Sequence, residues 1–337
     1  MSRADSSRAA RLPALRPAVA LGVLLAVLIA LGPLLDRYAL SVAILVLYFA
    51  YVGLAWNVMM GFAGQLSLGH ALYVGLGGYT AAALFQHFAV SPWLGAVAAV
   101  AVCVAAASAI GWLAFRFAIS GTYFALLTIA FAEFTRIGFD HWGWVGGSGG
   151  FFLRVAEQGR LDLASLRGGP LLFYYLMLAM VAAALWVSAR ILAGRAGYYF
   201  RAIRDGEDAA RAAGVDVLRY KLYAVQVSAA LTAPAGVFYA FYYNTLFPEQ
   251  VFGMGRSIEI ILAPIIGGLG TLFGPVLGAA VLTLLSEGVT ALLAAAGLES
   301  PGLKQIFYGL LLGAAIAFMP HGLWPPIARR LGWTRGA

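Results

Sequence analysis

From about residue 18 to residue 320 the sequence is a succession of apolar runs, most of them about twenty residues long, parted by short polar breaks. A hydrocarbon layer about 30 Å thick takes roughly twenty helical residues to cross. In lipid each backbone N–H and C=O must be satisfied within its own segment, so such runs fold as helices. The pattern predicts spans at about 18–35, 39–60, 68–88, 93–117, 121–139, 171–193, 218–243, 257–269, 274–296 and 303–320, the eighth of them short. Charged residues make up 11% of the chain and hydrophobic ones 62%, whereas a soluble domain carries about 25% charged residues. Too few charges remain to cover a water-facing surface. The fold class expected is an all-α polytopic membrane protein of about ten transmembrane helices, some short or broken, with cytoplasmic N- and C-termini.

Orientation follows from the basic residues. Residues 1–17 are polar and carry Arg3, Arg8, Arg11 and Arg16. The apolar run after them is long for a secretory leader and a second span begins near Tyr38, so it reads as a retained first span. With the N-terminus inside, the inner segments hold fifteen Arg and Lys and the outer segments seven, the bias expected of cytoplasmic loops. The net charge of +8 therefore reflects topology and lies on no single domain face, which argues against nucleic acid as a partner. The chain divides into a cytoplasmic tail (1–17), a transmembrane domain (18–320) and a second cytoplasmic tail (321–337), with a charged inner loop at 194–221 and a long outer loop at 140–170.

The inner loop is the longest charged run, GRAGYYFRAIRDGEDAARAAGVDVLRYK. Arg201 and Asp205, Arg204 and Asp208, and Glu207 and Arg211 stand four apart, the spacing at which opposite charges meet along a helix. Phe200, Ile203, Ala210 and Ala213 share another face, and Gly214 is a natural stop. The segment reads as a short amphipathic helix. Its role is either to fix topology by its charge or to dock a cytoplasmic partner.

Two glycine-rich segments interrupt the apolar pattern, GFAGQLSLGHALYVGLGGY (61–79) and IIGGLGTLFGPVLGA (265–279). Ser67, Ala71 and Gly75 recur every four residues, as do Gly270, Gly274 and Gly278, a spacing that lets helices approach closely. With Gly64 and Gly69 these glycines are candidate hinge and packing positions. The two segments also read as a weak internal repeat with broken helices near a substrate path, alongside the plainer reading of tight helix packing. Polar groups at membrane depth are costly and often functional. Gln65, Ser67 and His70 in the first segment and Glu259 at the start of the eighth span are the candidate path residues. Glu133 and Arg136 are spaced to pair, and Glu287 lies in the ninth span. The outer loop carries WGWVGGSGG, a surface turn or a contact for an external partner.

Several chemistries are excluded. No G-x-x-x-x-G-K-[ST] phosphate loop and no H-E-x-x-H occurs, and His70, His87, His141 and His321 lie scattered. Cys103 is the sole cysteine, so there is no disulfide framework. No catalytic constellation, metal site or cofactor site is expected, and the chain reads as a transport component rather than an enzyme.

The ordered set of motifs resembles the LivM-type membrane subunits of ABC importers for branched-chain amino acids. The matching pieces are GLAWNVMMGFAGQLSLGHALYVGLGGYTAA (53–82), GTYFALLTIAFAE (121–133), VGGSGG (145–150), the stretch 194–229 and SIEIILAPIIGGLGTLFGPVLGA (257–279). The resemblance implies a permease subunit of the inner membrane. Its implied partners are a second, LivH-like permease subunit, two cytoplasmic ATPases that bind and hydrolyse the ATP, and an extracytoplasmic binding protein. It also implies that the 194–221 loop is the ATPase-coupling element, with Arg201, Ile203, Arg204, Asp205, Glu207, Asp208, Ala210 and Gly214 at the contact. Gly206 departs from the polar residue usual there, so the coupling helix is expected to bend at it or to begin after it. A permease for urea, a sugar or another small polar solute stays open. So does an ion-driven transporter, for which Glu133, Glu259 and Glu287 are the candidate ion sites.

Overall fold

The computed structural model describes residues 17–154, 162, 164–295 and 322–331, together with 306, 309, 310 and 313. Its main helices are α1 (Pro17–Leu31), α2 (Arg37–Asn57), α3 (Ala71–Phe88), α4 (Pro92–Arg116), α5 (Gly121–His141) and α6 (Pro170–Ala193). Two short helices follow, α7 (Arg195–Asp205) and α8 (Glu207–Ala212), then α9 (Val217–Tyr243), α10 (Pro248–Phe252), α11 (Met254–Gly267), α12 (Gly274–Ala295) and α13 (Trp324–Arg330). The expectation of an all-α protein holds.

Among the described residues, six helices are both long and apolar enough to cross a membrane: 37–62, 92–116, 170–193, 217–243, 248–267 and 274–294. α3 and α5 reach 18 and 21 residues but fall below that apolarity. The eighth span, short in the sequence, gains its length from α10. The chain turns helical at Pro248, bends at Gly253 and continues as α11. Of the tenth expected span, 303–320, all but residues 306, 309, 310 and 313 lie outside the described residues.

Helix ends follow local chemistry. The Asp36 carboxylate accepts from the Ala39 amide at 2.7 Å and opens α2; Asp216 does the same for α9 through the Arg219 amide at 3.0 Å. Asn244 in the left-handed region ends α9. Two residues on each side then pair antiparallel, Phe151 with Leu246 and Phe152 with Thr245. That pairing pins the first half of the 140–170 loop to the end of α9. His87 stacks on Trp144 at 4.3 Å, fixing the WGW turn against α3.

α9 crosses α3 and α4, while α2 lies against α6, α11 and α12. Lipid tails are as apolar as leucine, so helices in a membrane associate through close packing rather than through hydrophobic exclusion. Gly77 and Gly78 of α3 face the backbone of Ala233 and Gly236 in α9, and Gly236 faces the Val74 carbonyl in return. Gly267 of α11 likewise meets Gly274 of α12, and Gly278 meets the Ala263 carbonyl. The core around these crossings is built of Ala and aromatic residues, with Trp56, Tyr79, Tyr174, Phe124 and Phe252 wholly enclosed.

Candidate functional site

The last turn of α2 leaves the α ladder. Val58–Phe62 form a π turn, a distortion often found at functional sites. The Gly64 amide then donates to Met60 O and the Gln65 amide to Met59 O, both at 3.0 Å. Gly64 takes φ +70° to make the reversal, and residues 64–69 run without helix to α3. The Gly61 carbonyl is satisfied by Arg204 of α7, whose Nη1 donates to it at 2.8 Å.

The second glycine break meets the first at this point. Asn57 donates from Nδ2 to Thr271 O and accepts from the Gly270 amide at Oδ1, each at 2.9 Å. Gly270 has φ +75°, and a Cβ there would stand 2.8 Å from Gly61 O and 2.9 Å from Arg204 Nη1. The Leu323 amide donates to Ile266 O at 2.9 Å, and Trp324 packs on Phe273, so the segment before and within α13 covers the same turn. Both glycine breaks, the charged loop and the 322–330 segment therefore converge on one end of the bundle.

The loop itself is a helical pair broken at Gly206, as the sequence anticipated. The break parts Arg204 from Asp208, and within α7 and α8 the other expected i,i+4 pairs do not form either. Arg201–Asp205, Arg204–Asp208 and Glu207–Arg211 do not pair. Arg204 instead lies 3.4 Å from Asp205, Arg211 pairs with Asp208 at 3.2 Å, and Glu207 with Lys221 of α9 at 2.6 Å. Lys221 is 4% exposed and also sits 4.6 Å over the Phe115 ring, so it ties α8 to α9 and α4. Phe200 is enclosed by Val58, Phe62, Ala63 and Ala224. Ile203, Ala210 and Val217 form a small core beneath α8, while Ala213 is exposed. Arg201 donates to Gly197 O and lies over the Tyr198 ring. Gly214, at φ +85°, makes the turn into α9. Asp205, Asp208 and Arg211 of α7 and α8 stand open to solvent, at 72%, 96% and 65%.

The candidate path residues are split between two places. Gln65, Ser67 and His70 lie buried in the break before α3. Gln65 donates to Ala63 O, and His70 Nε2 is 2.7 Å from the Thr232 hydroxyl. His70 Nδ1 and Ser67 Oγ have no hydrogen-bond partner. Glu259 lies elsewhere on α11, paired with Arg256 at 2.9 Å. Glu133 pairs with Arg136, as its spacing suggested, and Asp140 and Glu249 join them at 2.6 and 3.0 Å from that guanidinium. Glu287 accepts from the Tyr38 hydroxyl at 3.3 Å. The three acids proposed for an ion site therefore belong to separate clusters.

The candidate glycines divide by role. Gly64 and Gly270 make turns with positive φ. Gly69 packs on the Thr128 backbone, Gly75 on the Phe252 ring, and Gly274 and Gly278 on α11 and the turn before α12. Sequence reasoning missed Asn57, Thr128, Thr232, Ser257 and Lys221. Thr128 accepts from the Leu68 and Gly69 amides, and Ser257 from the Ala71 amide, so the unwound segment is held by hydroxyls from α5 and α11. The one available signal was Asn57, a lone amide in the apolar run LAWNVMM.

Comparison with known proteins bears directly on this arrangement. A family described as the permease component of branched-chain amino acid transport systems matches residues 38–316. The high-affinity branched-chain amino acid transport system permease protein LivM of Escherichia coli K12 is 28% identical over 325 residues, 90% of this chain and 74% of that protein. Its Salmonella typhimurium LT2 counterpart is 28% identical over 323 residues, 90% and 73% of the two chains. The autoinducer 2 import system permease protein LsrC of Enterobacter sp. strain 638 is 32% identical over 146 residues, 42% of this chain and 40% of that one. No solved structure matches. The family match spans both glycine breaks, the charged loop and the helices that hold them, and the chain belongs to the permease components of branched-chain amino acid transport systems, multi-pass proteins of the inner membrane.

Proposed function

We propose that this chain is one of two membrane subunits of an ABC importer for branched-chain or other hydrophobic amino acids. A LivH-like subunit completes the pathway, two cytoplasmic ATPases supply the energy, and an extracytoplasmic binding protein delivers the substrate. Both termini and the α7–α8 loop face the cytoplasm. The observation that carries the reading is the loop itself. α7 and α8 are fastened to the bundle by Phe200, Arg204 and the Glu207–Lys221 pair, yet present Asp205, Asp208 and Arg211 outward. A rigid, outward-charged helical pair at the end of a broken bundle is suited to convert motion of an ATPase into rocking of the helices by alternating access.

An ion-driven transporter is less well supported. Glu133 and Glu259 each neutralise an arginine, and neither of them shares a cluster with Glu287. A permease for a small polar solute such as urea or a sugar shares every feature of the loop, and the similarity to an autoinducer 2 permease keeps it as the second reading.

The test is co-expression with candidate ATPases and the second subunit, then uptake into vesicles. Because Arg204 and Glu207 hold the loop in place, the docking variant uses the exposed charges, Asp208→Arg with Arg211→Glu. The wild-type chain should co-purify with an ATPase and support ATP-dependent leucine uptake, and the variant should lose both. Uptake by this chain alone down an ion gradient would exclude the reading.

A further inference from the structure

Arg204 occupies a position that a docking residue does not need. Its Nη1 reaches 2.8 Å to the carbonyl of Gly61, on a different helix 143 residues away. A Cβ at Gly64 would meet its Cγ at 3.1 Å, and one at Gly270 would meet Nη1 at 2.9 Å. One side chain thus touches both glycine breaks. Two of the three glycines around it, Gly64 and Gly270, have positive φ, so the backbone there is shaped to admit it.

The chemistry is that of a helix C-terminus capped from outside. The last carbonyls of a helix have no partner within it and carry partial negative charge. In the last turn of α2 the Met59 and Met60 carbonyls are taken by the Gln65 and Gly64 amides. The Gly61 carbonyl goes to a cation delivered by α7. The other holds of α7 on this turn are apolar, through Phe200, and apolar contacts slide. The Arg204 bond is directional and charge-assisted. Asn57 then fastens the same end of α2 to Gly270 and Thr271, so a displacement of α7 reaches both breaks together.

We infer that Arg204 is the transmission joint between the α7–α8 loop and the two broken helix ends: a positioning residue that passes ATPase motion to the pathway and is not itself a contact of the ATPase. The inference rests on the permease reading. It assigns transmission to Arg204 and docking to the outward charges Asp205, Asp208 and Arg211.

The test separates binding, hydrolysis and transport in the full complex. Arg204→Gln should co-purify with the ATPases and hydrolyse ATP as the wild type does. Substrate moved per ATP should fall about tenfold, the scale of one lost hydrogen bond to a charged group. Arg204→Lys, which keeps a cationic donor, should recover part of the ratio, and Gly270→Ala should reproduce the loss. As a readout independent of these variants, spin labels at Ala212→Cys, an exposed position of α8, and Leu269→Cys in a Cys103→Ser background should hold one separation with and without ATP, because the loop and the turn move as a unit. Unchanged transport per ATP in Arg204→Gln overturns the inference. So does a label separation that changes on ATP binding. Loss of ATPase binding in Arg204→Gln would make Arg204 a docking contact, leaving the permease reading intact. If the wild-type chain binds no ATPase, the permease reading falls before any variant is made, and the inference falls with it.

Discussion

Asn57 does more than any other side chain to join the two glycine breaks. Its amide spends both groups on one turn, donating to Thr271 O and accepting from the Gly270 amide. A buried donor or acceptor left unpaired costs about 1–3 kcal/mol. Asn57→Ala should therefore destabilise the protein by about 3 kcal/mol, read as a lower unfolding temperature in detergent. Asn57→Asp keeps the acceptor, loses the donor and places a charge among apolar neighbours, so it should be at least as damaging. A protein equally stable with Asp would contradict the two-way bond. Lys221 poses the same question with a charge. Glu207→Gln removes its counter-ion and keeps a hydrogen-bonding group, leaving a nearly enclosed ammonium with an amide and the Phe115 face. Hydrogen exchange should quicken across 207–221 as α8 loosens from α9, while the rate in α3 stays unchanged; equal protection would show that the apolar core of Ile203, Ala210 and Val217 holds α8 alone.

Among the elements, glycines of the same type do opposite work. Gly236 meets the Val74 carbonyl and the Gly78 amide where α9 crosses α3, and a Cβ there has no room. Gly138 of α5 has nothing within 4 Å of its Cβ direction. Gly236→Ala should force α3 and α9 apart, with an overpacking cost of about 1–3 kcal/mol and a loss of monodisperse protein on gel filtration. Gly138→Ala should be neutral or stabilising, since alanine gains about 1 kcal/mol over glycine inside a helix. If both behaved alike, the crossing would not depend on backbone approach. The charged loop shows how far periodicity reaches. The sequence supplies three i,i+4 pairs, but the break at Gly206 parts only Arg204 from Asp208, and the pairs that form are Arg211 with Asp208 and Glu207 with Lys221.

At the scale of the whole molecule, the bundle should present one set of aromatic residues to lipid and enclose another. Trp112 of α4 and Trp186 of α6 are more than half exposed, and Trp56 of α2 is wholly enclosed and donates to Ser67 O at 2.9 Å. In single-tryptophan proteins reconstituted with brominated lipid, Trp112 and Trp186 should be quenched strongly and Trp56 hardly at all; strong quenching of Trp56 would mean that the α2–α3 break opens to lipid. The all-α class and the approximate limits of the long apolar helices were written in the sequence, because lipid lets backbone polar groups be satisfied in few ways and the apolar runs needed for this cannot be hidden. The charged loop, its break at Gly206 and the glycine segments were legible for the same reason: charge and glycine stand out against an apolar chain. Which partners those segments take was not legible. Arg204 with Gly61, Asn57 with Gly270, Lys221 with Glu207, and Thr128 with the amides of Leu68 and Gly69 lie 143, 213, 14 and about 60 positions apart. No periodicity links residues at such separations. Only the crossing of the helices, set by where small side chains let backbones touch, brings them within reach of a hydrogen bond.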